Sequence, residues 1–285
     1  MFNYFLYRIG QFIALSLPLK LAYWVAVIIA DVHYCLSRKD RQTITENLLV
    51  IFPDKPWDEI KKIRINVFRN FAKYLVDFFR FSLLDSEYIK KYIKVYNTHY
   101  IDEALAKGRG IVLLTAHLGN WELGGVIIAL LGYPFWAVVL PHKHKYVDKF
   151  FNSQRENKGM KVIAWGRAAR QSIWVLKNNQ ILALVADRNF SDKGIAADFF
   201  GRPALFPRGP AVLSLKTKAE VLTGCMVREK DDSFSLRFDR LPEFSPSGDE
   251  EQDMIDITVR YKTVIEEYIL KNPDQWYMFR KFWST

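Results

Sequence analysis

Short apolar runs alternate with longer amphipathic segments from residue 94 onward, and this alternation constrains the fold of the 285-residue chain more than any other feature. The runs have the length and composition of buried strands, and the segments between them have helical spacing. The predicted strands are residues 94–96, 110–116, 135–140, 161–164 and 181–186, and the predicted helices are 101–107, 121–131, 147–156 and 168–177. This alternation predicts an α/β fold with a mostly parallel central sheet flanked by helices.

Three further segments complete the expected domain. Residues 220–228 and 233–241 flank the turn sequence EKDDS, which predicts a hairpin, and a long helix is expected over about 250–270. Residues 56–84 begin with a proline and carry apolar side chains along one helical face and Lys or Arg along the other. No repeat or linker interrupts the chain, so we expect one α/β domain over 37–285 that includes this amphipathic helix.

The N-terminal segment is a predicted membrane anchor, assigned to residues 1–36. Residues 12–30 are apolar except for Ser16, Pro18 and Lys20, and the aromatic content of the whole chain is 15%. The apolar length is borderline for a span, and Pro18 with Lys20 favours a segment that lies in the membrane interface. A buried core helix is the alternative.

The formal net charge of +10 implies an anionic partner. Charge alone does not choose among nucleic acid, an anionic membrane and an acidic protein or lipid. A non-catalytic membrane- or nucleic-acid-binding protein is therefore one interpretation, although the chain carries no nucleic-acid recognition motif. The two cysteines, Cys35 and Cys225, lie in unrelated apolar contexts, which favours buried thiols in a reducing compartment.

The sequence IVLLTAHLGNWELGG places a base, His117, five positions before a carboxylate, Glu122. Side chains five apart do not share a helical face, so His117 is expected to precede a helix that begins near Gly119 or Asn120. A strand-to-helix turn would hold both groups. Their simplest chemistry is general-base catalysis, in which the imidazole takes a proton and the carboxylate fixes its tautomer and stabilises the imidazolium.

Other familiar sites are absent from the sequence or poorly supported by it. There is no phosphate-binding loop with its lysine, no nucleophile elbow and no dinucleotide fingerprint after a strand. His142 and His144 are flanked by Lys143 and Lys145, which would repel a divalent cation, so we expect no metal site. From 141 to 170 the chain has eight Lys or Arg against two acids, a surface suited to an anion.

Ordered sequence blocks over nearly the whole chain carry a family resemblance. The turn HLGNWE resembles the first motif of the lysophospholipid acyltransferase superfamily, in the form used by its lipid A late acyltransferase branch. Four further blocks are similar to segments of that branch: RQTITENLLVIFPD, WGRAARQSIWVLKNNQILALVADRN, FFGRPALFPRGPAVLSLKTKA and NPDQWYMFRKFW. Two positions depart from the pattern: Arg188 replaces a common Gln, and Phe279 replaces a His of the best-known members.

The resemblance assigns roles to individual residues. It implies that His117 is the base with Glu122 as its partner, and that Arg167 and Asp187 line the same pocket. A substrate-binding role is expected for Asn120, Arg188, Arg202 and Arg208 as well. The permanent, forked charge of Arg167 suits a phosphate or a developing oxyanion.

The expected function is membrane-bound acyl transfer from a thioester to a hydroxyl of a lipid A precursor, at the cytoplasmic face of the inner membrane. Other glycolipid, phospholipid or amino-lipid acceptors are alternatives. The expected donor is acyl carrier protein, or else a coenzyme A thioester, so the donor brings its own phosphopantetheine and no further cofactor is implied. Lys143, Lys145 and Lys149 are the expected docking residues for an acidic donor.

Overall fold

The computed structural model describes residues 2–190, 193–242 and 244–283. The strands are β1 (Ile93–Tyr96), β2 (Ile111–Thr115), β3 (Phe135–Val139), β4 (Lys161–Ala164), β5 (Ile181–Val185), β6 (Gly194–Phe199), β7 (Arg202–Pro207), β8 (Glu220–Arg228) and β9 (Phe234–Arg240). The helices are α1 (Phe2–Ser16), α2 (Leu19–Leu36), α3 (Arg38–Ile51), α4 (Trp57–Phe79), α5 (Ser86–Tyr92), α6 (His99–Ala106), α7 (Trp121–Leu130), α8 (Lys145–Glu156), α9 (Ala168–Lys177), α10 (Gly209–Thr217) and α11 (Glu250–Lys271). Short 3-10 turns cover Phe81–Leu83, Trp165–Arg167 and Pro273–Gln275.

Seven strands form the central sheet, in the order β1-β9-β8-β2-β5-β3-β4. All neighbouring strands in it are parallel except β8 and β9, which form the predicted hairpin. The expected α/β fold with a mostly parallel sheet is therefore confirmed. A second sheet of β6 and β7, which the sequence interpretation did not anticipate, turns at Phe200 and Gly201, whose φ angles are 53° and 76°.

Strand β2 lies in the middle of the sheet and contributes to the core on both faces. Leu113 packs with the helices on one face, including α7, whereas Val112 and Leu114 pack on the other face with α9, α10 and α11. This alternation follows from the two-residue repeat of a strand. Because β2, β3, β4, β5 and β8 run in the same direction, their carboxyl ends share one edge of the sheet.

The N-terminal apolar segment is two helices rather than one. Helix α1 ends at Ser16, and α2 begins after Pro18. Helix α2 is long and apolar enough to cross a membrane by its length and composition. Its small residues and one tyrosine form a buried face against α4 and its neighbours, while its larger apolar residues face outward. The buried residues are Ala22, Tyr23, Ala26 and Ala30, and the exposed ones are Leu21, Trp24, Ile28, Ile29, Val32 and Leu36.

The predicted amphipathic helix corresponds to α4, and most of its basic side chains have partners within the protein. Arg69 forms an ion pair with Asp31 of α2, in which Nε lies 2.7 Å from Oδ1. Lys73 forms another with Asp232, in which Nζ lies 2.7 Å from Oδ1. Arg80 donates to backbone carbonyls near the end of α1. Helix α4 therefore supports α1 and α2, and these two helices carry the outward apolar surface. The expected division of the chain at residue 36 coincides with the end of α2 and stays a prediction.

Candidate active site

Residues 116–120 form a turn that connects β2 to α7, so His117 precedes the helix, as expected. The side chain of Asn120 caps α7, because its Oδ1 accepts a hydrogen bond from the Leu123 amide at 3.0 Å. The backbone of the turn is tied to two other segments. The Gly119 amide donates to the Gln275 carbonyl at 2.9 Å, and the Asn120 amide donates to the Met226 carbonyl at 2.8 Å.

Gly119 cannot be replaced without moving this turn. Its φ is +61°, which disfavours residues with a side chain, and a Cβ built there would lie 1.9 Å from the Met226 carbonyl oxygen. The obstructing atom belongs to the backbone of a central strand and cannot rotate away. The glycine thus permits the close approach of the turn to β8 that fixes where His117 leaves the sheet.

His117 pairs with Asp187, which lies just after β5. Its ring Nδ1 is 2.7 Å from Asp187 Oδ1, and its backbone amide donates to Asp187 Oδ2 at 3.0 Å. The Asp187 carboxylate is fully buried, whereas the His117 side chain is 17% exposed. The imidazole is therefore held at the boundary of the core with one ring nitrogen fixed.

The charge of Asp187 decides which ring nitrogen carries the proton. Burial alone would raise the pKa of this carboxyl group, but the charge and hydrogen bonds of His117, together with the charge of Arg188, lower it to about 2. An ionised carboxylate can only accept, so Nδ1 of a neutral His117 must donate to it. Nε2 then keeps its lone pair, which is the state that a general base needs.

The C-terminal segment completes this arrangement. The indole Nε1 of Trp276 donates to Asp187 Oδ2 at 3.1 Å, and the Tyr277 amide donates to the His117 carbonyl at 2.8 Å. Both residues belong to the sequence block NPDQWYMFRKFW, but the sequence interpretation gave neither of them a role. Only their position in the fold shows that they orient the carboxylate and the turn.

Glu122 has a different partner from the one expected. Its two carboxylate oxygens accept from Arg155 of α8, from Nε at 2.7 Å and from Nη2 at 2.5 Å. Both side chains are buried. Burial disfavours the charged guanidinium, yet the charge and hydrogen bonds of Glu122 raise the pKa of Arg155 overall. The direct His117–Glu122 contact is therefore corrected to His117–Asp187 and Glu122–Arg155, and a catalytic requirement for Glu122 stays a prediction.

A second buried ion pair supports the turn from the other side. Asp77 of α4 accepts hydrogen bonds from Arg228 of β8, from the hydroxyl of Tyr23 in α2, and from Asn120 Nδ2, the last at 2.9 Å. Arg228 also donates to the Tyr23 hydroxyl at 3.1 Å. Helix α2 is thus linked to Asn120, the residue that caps α7, through the hydrogen bonds that Tyr23 and Asn120 each donate to Asp77.

The remaining predicted substrate-binding residues lie at different distances from the His117 turn. Arg188 follows Asp187 and donates to the Tyr277 carbonyl at 2.9 Å. Arg167 is exposed in the 3-10 turn after β4, three strands from β2. Arg202 is exposed at the start of β7, and Arg208 pairs with Glu251 of α11 at 2.8 and 2.7 Å. The structure thus brings Asn120, Asp187 and Arg188 to the His117 turn, whereas no hydrogen bond or ion pair joins Arg167, Arg202 or Arg208 to this turn in the described part of the chain.

The predicted docking lysines lie on and just before α8. Lys143, Lys145 and Lys149 are all exposed, whereas Arg155 of the same basic segment is buried against Glu122. Within residues 2–190, 193–242 and 244–283, no cluster of three His, Cys, Asp or Glu side chains could hold a metal ion.

An apolar cavity of about 70 Å³ lies between the sheet and α7. Its wall includes Trp121 and Glu122 of α7 and two flexible side chains, Met160 and Met226. Trp121 also contacts the His117 ring edge-on, with the ring centroids 5.1 Å apart.

We predict that Glu122→Gln destabilises the protein by roughly 3 to 5 kcal/mol, because it leaves a buried guanidinium without its charged partner. Urea unfolding of the purified protein measures this change. Glu59→Gln is the matched control, since Glu59 pairs with Lys55 at the surface, where the loss should stay below about 1 kcal/mol. Adding Arg155→Met to Glu122→Gln should recover much of the stability. Equal unfolding midpoints for the Glu122 and Glu59 variants would contradict the assignment.

Comparison with known proteins identifies the family. The profile described as bacterial lipid A biosynthesis acyltransferase matches residues 1–285. The chain is 26% identical over 259 residues to the phosphatidylinositol mannoside acyltransferase of Mycolicibacterium smegmatis, covering 89% of this chain and 83% of that protein. It is 25% identical over 250 residues to the lipid A biosynthesis palmitoleoyltransferase of Escherichia coli, covering 87% and 80%. With a family match over its full length, an α/β fold and relatives named as acyltransferases, the chain is an acyltransferase of the bacterial lipid A biosynthesis acyltransferase family.

Proposed function

We propose that this acyltransferase moves a fatty acyl group from a thioester to a hydroxyl of a glycolipid acceptor, with His117 as the general base. The 2.7 Å pair between His117 Nδ1 and Asp187 is the observation that carries the proposal. It fixes the tautomer with Nε2 unprotonated, in a turn at the edge of the sheet, beside an apolar cavity.

The proposed reaction has two proton transfers. Nε2 of His117 takes the proton of the acceptor hydroxyl while the oxygen attacks the thioester carbonyl carbon, and Asp187 stabilises the imidazolium that forms. The tetrahedral intermediate then expels the thiolate, forming the ester, and the imidazolium returns its proton to the sulfur. No covalent acyl-enzyme is needed, because the acceptor itself is the nucleophile.

Two backbone amides next to His117 are not available to stabilise the oxyanion of this intermediate. The amides of Gly119 and Asn120 already donate to the carbonyls of Gln275 and Met226. A side chain can supply the donor instead, and we propose Arg167, which is exposed after β4 on the same edge of the sheet.

The apolar cavity under α7 supports an acyl substrate. Glycines and methionines shape it: a Cβ on Gly125 would lie 3.0 Å from Phe135 Cε1 and 3.3 Å from Met160 Sδ. Methionine side chains adapt readily to the shape of what packs against them. We propose that the acyl chain enters here and displaces Met160 and Met226, so that the cavity deepens with the length of the chain.

For the acceptor we propose a lipid A precursor, at the cytoplasmic face of the inner membrane. The family profile and the name of the Escherichia coli relative support this choice. The name of the Mycolicibacterium relative supports a mannoside lipid instead. Mass spectrometry of lipids from a strain that lacks the gene decides between them, because the unacylated acceptor accumulates there.

The proposed membrane contact is interfacial rather than transmembrane. Helices α1 and α2 expose large apolar residues, among them Phe12 at 72% and Trp24 at 61%. A spanning α2 would have to withdraw Tyr23 from Asp77 and its small-residue face from α4. We propose that both helices lie in the interface while α2 stays packed on the domain.

We predict that His117→Ala lowers kcat by roughly two to four orders of magnitude, and that Asp187→Asn causes a loss of similar size, because both changes remove the oriented base. The double variant should be no slower than His117→Ala alone, since Asp187 acts through His117. Steady-state kinetics of the purified protein measures all three. His99→Ala, at an exposed histidine, is the control and should keep normal turnover. Multiplicative losses in the double variant would show that the two residues act independently.

We predict that Phe12→Glu with Ile29→Glu reduces partitioning onto lipid vesicles by roughly two orders of magnitude, because two exposed apolar side chains that enter the membrane interface are lost. Vesicle flotation measures partitioning. The control places the same substitutions at exposed apolar residues of α11, Val259 and Leu270, and should leave partitioning unchanged. Alkaline carbonate should release the wild-type protein. Retention after carbonate treatment would indicate a transmembrane helix.

We predict that Lys145→Glu with Lys149→Glu raises the apparent KM for acyl carrier protein roughly three- to tenfold, and leaves the acceptor KM unchanged, because these charges act on donor encounter. Salt screens such charges over about 8 to 10 Å, so the variant should also lose the salt dependence of the wild-type donor rate. Lys90→Glu with Lys91→Glu, on the exposed end of α5, alters net charge equally and serves as the control. Equal donor KM values for the two double variants would place donor docking elsewhere.

A further inference from the structure

A second cavity, of about 320 Å³, has Asp187 in its wall and shares no lining residue with the apolar cavity under α7. Three cationic side chains line it together with aromatic and aliphatic ones. They are Arg188, Arg280, Lys281, Leu205, Phe282 and Trp283. Asp187 is the one carboxylate in the described wall, and its oxygens are already bonded to His117 and Trp276.

Arg188 has a buried donor without an acceptor. Its Nη2 donates to the Tyr277 carbonyl, but its Nε is buried and has no hydrogen-bond partner in the part of the chain that the structure describes. A buried N–H of this kind is costly unless a ligand supplies an oxygen. Arg188 also lines the cavity, so an anion that enters there can supply the missing acceptor.

The positive charges around this cavity are also incompletely neutralised. Within the described residues, no carboxylate forms an ion pair with Arg188 or Arg280, and Lys281 shares a 3.0 Å pair with Glu46. Burial lowers the pKa of Arg188, and the neighbouring charge of Arg280 lowers it further, against the effect of Asp187. Like charges thus face one another across a space that an anion would fill.

We propose that this cavity binds a phosphate group of one of the two substrates through Arg188, Arg280 and Lys281. Forked guanidinium groups match the oxygens of a phosphate, and the aromatic wall suits the organic part of a phosphate ester. The proposal rests on the acyl transfer proposed above and deepens it, because a phosphate held beside Asp187 positions its substrate at the His117 turn. The phosphate comes from the phosphopantetheine of the donor or from the headgroup of the acceptor.

Phosphate binding is tested first without any acyl transfer. Inorganic phosphate is titrated into the full-length protein in detergent at constant ionic strength, with binding followed by isothermal titration calorimetry. Arg280→Gln should weaken binding roughly ten- to a hundredfold, the usual effect of losing a charge-assisted hydrogen bond. Arg280 is exposed, so the variant should fold normally. Lys271→Gln removes one charge from an exposed pair on α11 and should bind phosphate as the wild type does.

Steady-state kinetics then identifies the source of the phosphate. In Arg280→Gln, an increase in the donor KM alone assigns the site to phosphopantetheine, and the increase should vanish with an acyl-pantetheine donor that lacks the phosphate. An increase in the acceptor KM alone assigns it to the acceptor headgroup. In either case the change in KM should exceed the change in kcat, because Arg280 binds the phosphate and holds no reacting atom.

Three results would overturn the proposal: no phosphate binding by the wild type, equal binding by wild type and Arg280→Gln, or lost binding with neither KM changed. The last would show an inorganic anion site unconnected to the substrates. These failures are separable from failure of the proposed function. If the protein binds phosphate through Arg280 but catalyses no acyl transfer, the proposed function is wrong and the phosphate site stands. If it catalyses acyl transfer without such binding, the phosphate site is wrong and the proposed function stands.

Discussion

The hydrogen bond between His117 and Asp187 depends on the parallel pairing of β2 with β5. Thr115 lies opposite Val185 in that pair, so the residues two positions further along each strand leave the sheet at the same edge. There the ring and amide of His117 reach both oxygens of Asp187. A shift of one residue in the register would reverse which face each side chain takes and would separate them. The chemistry that we propose thus depends on a contact between residues 70 positions apart in the sequence, which the pairing of two adjacent strands brings together.

Buried ion pairs clamp the same turn from both sides. Glu122, in the first turn of α7, binds Arg155 of α8, and Asn120, which caps α7, binds Asp77 in its network with Arg228. Such pairs contribute little net stability compared with apolar packing, but breaking one is costly. They therefore act chiefly as geometric constraints. These pairs hold α8 against α7, and α4 against β8, on either side of the turn that carries the base.

The sequence predicted the sheet and the location of His117 well, because both follow from local patterns. Apolar runs marked β2, β3 and β5, and five-residue spacing required His117 to precede α7. The partner of the base was not local. Sequence proximity favoured Glu122, whereas the carboxylate in contact is Asp187, which strand pairing brings in from a distant segment.

The same limit explains the other differences. Arg155 is among the eight basic residues of the anion-binding surface that the sequence predicts over 141–170. In the structure it lies on the inward face of α8 and binds Glu122. Trp276 carried no local signal for its bond to Asp187. The N-terminal apolar stretch indicated membrane contact, but only the packed structure shows that its Tyr23 reaches Asp77. Periodicity indicates which residues of a helix or strand are buried, but it does not indicate which residues of other elements they contact.

The protonation state of the His117 ring shows whether Asp187 orients this residue as a general base. Nitrogen-15 NMR of ring-labelled protein, with the His117 signals assigned by their loss in His117→Ala, distinguishes a protonated Nδ1 from a protonated Nε2. At a pH where the ring is neutral, we expect the proton on Nδ1 in the wild type and in Glu122→Gln, and a mixture of tautomers in Asp187→Asn. A proton on Nε2 in the wild type, or a tautomer that changes in Glu122→Gln but not in Asp187→Asn, would contradict this expectation.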